Sequence, residues 1–372
     1  SACGGGGGDG SPAAGGGGGG TVTGAAAKGI VKNGIVTVKD ANGQVIGTGR
    51  TNNTDGSYSI DVGDYAGPVF VEISADSMTT IQDEITGMNQ DASNVMGVIL
   101  ESVTTVTGGQ PATANVTPFT SIVAQLAKNS AGNGNEVSTL LVQQAQAAIA
   151  TTLGFNPVAT APINPRDEAA TADASPEALK QALLLAALAQ FGTTNPTCVA
   201  LEDRADELAC AAEQFATAYS GSTITNGAAT IAVSGTTLAG FEAAVTAVSM
   251  NADVNKTGTM IDPATDPATS TLAAAEDNPT VPQTEMVAVP EEGFNASDIA
   301  AVRQLFNNLR SNAAALDNAE LNGPIETQLA DFADSINTQT FGLDFGTSNS
   351  TLSMMQGDDV RLIALEGTAE TL

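Results

Sequence analysis

The side chains able to do chemistry in this chain are carboxylates, hydroxyls and three cysteines. Histidine and tryptophan are absent from all 372 residues. Without imidazole, Ser-His-Asp and Cys-His catalysis are excluded within the chain, and so is the commonest metal ligand. Two adjacent acidic pairs, Glu202 with Asp203 and Glu291 with Glu292, have the residue types of glycosidase work. That chemistry needs two carboxylates facing each other across a cleft at a set separation, and neighbours in sequence read better as solvated helix ends. Asn251 to Gly258 begins like a calcium loop, with Gly258 sixth from Asp253. The twelfth position is Ala264, where a bidentate Glu is required, and Lys256 adds positive charge, so a polar turn is expected there. No Gly-x-Ser-x-Gly elbow occurs. The residues therefore point to no metal site, no cofactor and no catalytic centre: the chain reads as a non-enzyme.

Charge narrows the partners. Twelve basic residues stand against 41 acidic ones, a net charge of −29. Such a chain is repelled by nucleic acid and by anionic lipid head groups. No stretch approaches 18 apolar residues, so no membrane-spanning helix is expected. Ser1-Ala2-Cys3 stands before glycine tracts at 4–8 and 15–20. This segment resembles the processed start of bacterial lipoproteins, whose lipobox ends in two small residues and Cys. The resemblance implies a lipid on Cys3, attachment to the membrane through it, and a place in the cell envelope. That place is periplasmic or surface-exposed, with the outer membrane as the expected anchor. With Cys3 set aside, Cys198 and Cys210 remain. An even remainder in an exported chain reads as one disulfide, with a loop-entropy benefit of roughly 2–3 kcal/mol; a pair of buried thiols is the alternative.

The elements that must position these residues fall into blocks, giving an α+β multidomain expectation. Residues 1–24 read as a glycine-rich tether. Residues 25–106 alternate β-branched and polar positions, with turns at Asp40 to Gly43 and at Thr54 to Gly56, which suggests a small β-sandwich. The order of Val36-Thr37-Val38, Asp40-Ala41-Asn42-Gly43, Gly47-Thr48-Gly49, Asp55-Gly56-Ser57-Tyr58 and Gly67-Pro68-Val69-Phe70 resembles the carboxypeptidase-regulatory-like, transthyretin-like family. That resemblance implies a tight turn at Asp55-Gly56, Tyr58 in the core, and a spacer or adhesion module without catalysis. Residues 107–338 read as an α-helical domain. Thr117-Pro118 and Ser175-Pro176 are helix starts, Gly154 is a stop, and residues 262–290 form a long loop. Later helices are expected near 297–309 and 324–336. The whole arrangement resembles large bacterial lipoproteins in which a transthyretin-like module precedes a helical region, and binding of an unknown protein or glycan is the expectation for this chain.

Residues 339–372 break the helical pattern with a β-hairpin around Asp344-Phe345-Gly346-Thr347-Ser348-Asn349-Ser350. This resembles the first phosphate loop of DnaK-like chaperone ATPases, with Asp344, Gly346, Thr347, Ser348 and Ser350 matching. The resemblance implies backbone donors at Gly346 near phosphate, hydroxyl donors from Thr347 and Ser348, and Asp344 holding hydrated Mg²⁺. A first loop without the two lobes of that fold does not enclose a nucleotide. An ATP-binding chaperone fragment or fusion is thus one alternative, and a carboxylate-dependent polysaccharide hydrolase is a second.

Overall fold

The computed structural model describes residues 20–95, 97–132, 136–201, 203–225, 228–235, 238–270 and 283–289, with the backbone of three strands between 340 and 363. Its fold is mixed α+β. Strand β1 (Gly20–Ala25) opens it, followed by the short β2 (Val31–Lys32), β3 (Ile35–Asp40), β4 (Val45–Arg50), β5 (Ser57–Gly63), β6 (Gly67–Ser74), β7 (Thr80–Gln82), β8 (Asn89–Asp91), β9 (Val98–Val106) and β10 (Ala112–Thr113). These form a four-stranded sheet β4-β3-β6-β9, a three-stranded sheet β10-β1-β5, and a small sheet β2-β7-β8.

Period-two alternation decides what each face of the four-stranded sheet meets. Val36, Val38, Val69, Val71, Ile73 and Leu100 join one core with Val22, Tyr58, Ile60 and Val62 of the sheet β10-β1-β5. The intervening Phe70 and Val103 join a second core built mainly by helices. Tyr58 is buried and its hydroxyl donates to the Ala114 carbonyl, as the family resemblance implies. Gly56 takes a positive φ of 71° in the expected tight turn.

The tether was expected to reach residue 24, yet β1 lies inside that stretch. Thr21-Val22-Thr23 supplies the β-branched alternation, and Val22 is fully buried. Gly24 is there for space: a Cβ on it would lie 2.1 Å from the Ala114 carbonyl oxygen. Composition suggested linker, but this glycine marks a close strand contact.

Helices α1 (Pro118–Ala131), α2 (Thr139–Leu153), α3 (Glu168–Ala172), α4 (Pro176–Gly192), α5 (Arg204–Ala218) and α6 (Phe241–Met250) follow. Thr117 caps α1 by accepting from the Thr120 amide, and Ser175 caps α4 from the Ala178 amide. In α4 the run from Ala182 to Ala189 is buried on every side, which marks it as the central helix of this layer. The stretch expected to be all helical also contains strands β11 (Thr223–Thr225), β12 (Ala228–Val233) and β13 (Gln283–Ala288), paired antiparallel. Alternating burial along β12 puts Ala229, Ile231 and Val233 into the helical core. Strand β13 arises within the segment expected to be loop. Its partner is 50 residues earlier in sequence, so its pairing is a tertiary effect that local pattern does not carry.

The free edge of β9 is closed by side chains from helices. The Ser121 hydroxyl accepts from the Glu101 amide (3.0 Å), the Thr120 hydroxyl donates to the Glu101 carbonyl (2.7 Å), and Gln146 donates to the Val103 carbonyl (3.0 Å). An edge satisfied in this way does not template another strand along that portion.

A second unit covers residues 291–372. In it β14 (Thr340–Phe345), β15 (Ser350–Gln356) and β16 (Asp359–Ile363) form an antiparallel meander. The helices expected near 297–309 and 324–336 lie outside the described residues.

Candidate functional site

Two charged networks stand out, one enclosed and one open. The enclosed network gathers on the turn after β7. Asp83, whose side chain is fully buried, accepts from Arg204 at both oxygens (3.1 Å each), from the Ile85 amide (2.9 Å) and from the Thr86 hydroxyl (2.9 Å). Burial works to raise its pKa, but these donors hold the carboxyl below the ordinary range. Arg204 also donates to Glu207 (2.9 Å) and to the Ala189 carbonyl (2.9 Å), tying α5, α4 and the β7 turn together. Arg166 donates to the Ile85 carbonyl of the same turn (2.7 Å). Beside it lie Lys28, fully buried, and Glu84, 6% exposed. Glu84 accepts from the Gly29 amide. Among the described residues, neither Lys28 Nζ nor the second Glu84 oxygen has a hydrogen-bond partner. Burial pushes the Lys28 amine down to about 8 against the pull of Glu84, and burial raises the Glu84 carboxyl despite Lys28. The adjoining void, lined by Gly29, Gln82, Glu84 and Asn164, is about 10 Å³, barely the room of one water. Among the described residues, this void beside the network is too small for a ligand.

The open network lies on the face of the four-stranded sheet turned to α1. Strand register sets Glu72 directly opposite Glu101, a like-charge pairing that is unfavourable by itself. Two lysines offset it. Lys39 bonds Glu72 at 2.7 Å, and Lys128 from α1 bonds Glu101. Lys128 Nζ also sits 4.7 Å from the centre of the Phe70 ring, a cation–π distance. Burial raises the Glu101 pKa, with Lys128 opposing.

Glu101 and Lys128 border two recesses. One, of about 360 Å³, adjoins Lys39, Phe70 and Glu72. The other is a cleft of about 830 Å³ between the start of β9 and α5. Its helical wall presents Asp206, Ala209, Glu213 and Ala216, one face of α5 by spacing. The alanines leave the space open. Ile99 and Leu100 line the strand side, and α1 contributes Gln125. The volume is that of an ordinary ligand site.

The Cys198–Cys210 disulfide is formed, with Cα atoms 5.5 Å apart. It ties the turn after α4 to the middle of α5, and Cys210 itself borders the cleft. The other sequence candidates do not converge. Asp203 caps α5 by accepting from the Ala205 amide at 2.9 Å; Glu202, Glu291 and Glu292 lie outside the described residues, as does Cys3. The stretch from Asn251 is closed on itself: the Asn255 amide group donates to the Ser249 and Thr259 carbonyls (2.9 and 2.8 Å), and its oxygen accepts from Thr257. Asp344 lies on β14 opposite Thr351, and Ser350 opens β15 opposite Phe345; Gly346, Thr347 and Ser348 fall outside the described residues. Sequence reasoning missed Glu72, Glu101, Lys128, Lys28 and Glu84. Register across β6 and β9 was the signal that could have paired the two glutamates.

Comparison of the chain with protein-family models, with curated proteins and with solved structures finds no match.

Proposed function

We propose that the chain is a non-enzymatic protein of the cell envelope, anchored by a lipid on Cys3, that binds a protein or glycan partner in the cleft between β9 and α5. The two larger sheets are read as a small transthyretin-like sandwich on which the helical layer builds one cleft wall. The carrying observation is that cleft: ligand-sized, bordered by mixed polar and apolar side chains, and fixed on both sides by regular structure. The closed disulfide supports an oxidising compartment, and the acidic balance suits an exposed surface. Metabolic labelling with an alkyne fatty acid tests the anchor. Label on the wild type that is lost in Cys3→Ala is expected, and an unlabelled wild type overturns it. Turnover of any member of a glycan panel would overturn the non-enzymatic part.

A second reading concerns only residues 339–372. Phe345 pairs with Ser350 at the end of the antiparallel β14–β15 ladder, a strand pairing that the chaperone ATPase resemblance implies. Calorimetric titration with Mg-ATP tests it: heat of binding supports a nucleotide site, and no heat at millimolar ATP removes it.

A further inference from the structure

Resting on the reading of the cleft as a binding site, we infer that its occupant is an extended, basic peptide segment of a partner protein rather than a sugar chain. The argument begins with charges. Glu101 is paired with Lys128, and Asp83 and Glu207 share Arg204. Asp206 and Glu213, both on the cleft wall, have neither an ion-pair nor a hydrogen-bond partner among the described residues. They stand seven residues apart on one face of α5, a rise of about 10 Å. Two uncompensated carboxylates on one wall favour a ligand with two positive charges at comparable spacing.

The remaining lining selects the class of ligand. The apolar lining is aliphatic: Ile99, Leu100, Ala209 and Ala216 suit small peptide side chains, and no aromatic ring is among the described lining residues to stack on a pyranose face. From Asp206 to Thr217 the helical wall runs about 16 Å, the span of roughly five extended residues. In the extended polyproline II form, which repeats every three residues, two lysines or arginines three residues apart share one face and place their charges about 9 Å apart, matching the two carboxylates.

The test is a fluorescence-anisotropy titration of the full chain. The probes are a labelled hexapeptide with two lysines three residues apart, its two-glutamate counterpart, and a labelled neutral hexasaccharide. Saturable binding of the lysine peptide is expected, weakened by added salt and weakened roughly three- to tenfold in the double variant Asp206→Asn, Glu213→Gln. Both residues are partly or fully solvent-facing and unpaired, so the variant keeps the fold; an unchanged thermal melt checks this. A lysine peptide that binds with equal strength to the double variant, or no more tightly than the glutamate peptide, overturns the inference. Saccharide binding without peptide binding also overturns it while leaving the cleft a binding site. Failure of all three probes overturns the inference and the cleft reading together.

Discussion

The buried Asp83 carboxylate is met by fixed donors: Arg204, the Ile85 amide, the Thr86 hydroxyl. Around Glu101 the pairing is equally close, yet one partner, Lys128, is exposed and two recesses open beside it. Both networks join strands to helices, but they do different work. The enclosed one leaves no room for a ligand and includes a lysine and a glutamate whose burial is itself unfavourable. The open one holds a cleft wall in register and leaves Asp206 and Glu213 unanswered. Burial thus separates a structural clamp from the surface proposed to bind, even where the residue types are the same.

The sharpest way to break this contrast is Arg204→Ala. It leaves Asp83 buried and unpaired, and should lower unfolding free energy by about 3–5 kcal/mol. A denaturant midpoint close to wild type would show that the clamp is not one. Next in size is the alkaline response of Lys28. Its pKa falls from 10.5 to about 8 in the folded chain. Between those values the unfolded chain holds a proton that the folded chain has shed, so stability rises with pH across the window. Relative to Lys28→Met, the wild type should gain about 3 kcal/mol from pH 8 to 10.5; parallel curves would contradict the burial argument.

Disulfide removal sits lower. Replacing Cys198 and Cys210 by serine opens a link between positions 12 apart and should cost roughly 2–3 kcal/mol, seen as a lower melting temperature matched by the reduced wild type. The smallest effect belongs to the open network. Lys128→Ala should cost about 1 kcal/mol or less, because its ammonium is exposed and its ion pair is screened. A loss as large as that of Arg204→Ala would erase the distinction between the networks.

Local signals in the sequence were legible where one segment decides the outcome. Thr117-Pro118 and Ser175-Pro176 start helices because the caps need only the following turn. The cysteine pair followed from arithmetic and is bridged. Gly43 and Gly56 take the positive φ their turns require. Contacts between distant segments were not legible. Strand β13 pairs with β12 across 50 to 60 residues, and Lys28 feels the charge of Glu84, 56 positions on. Of the adjacent carboxylates that stand out in the sequence, Asp203 is a helix cap, while the opposed pair, Glu72 and Glu101, exists only through strand register. The glycine-rich start hid β1, because glycine count does not distinguish a flexible tether from a strand whose neighbour comes too close for a side chain.

Hydrogen–deuterium exchange on the full chain, with and without saturating lysine hexapeptide, tests the central claim most directly. The account predicts slowed exchange in residues 97–101 and 206–217 on adding peptide, with residues 26–31 and 83–87 unchanged. Protection at the enclosed network, or spread over the chain without the two cleft walls, would contradict it.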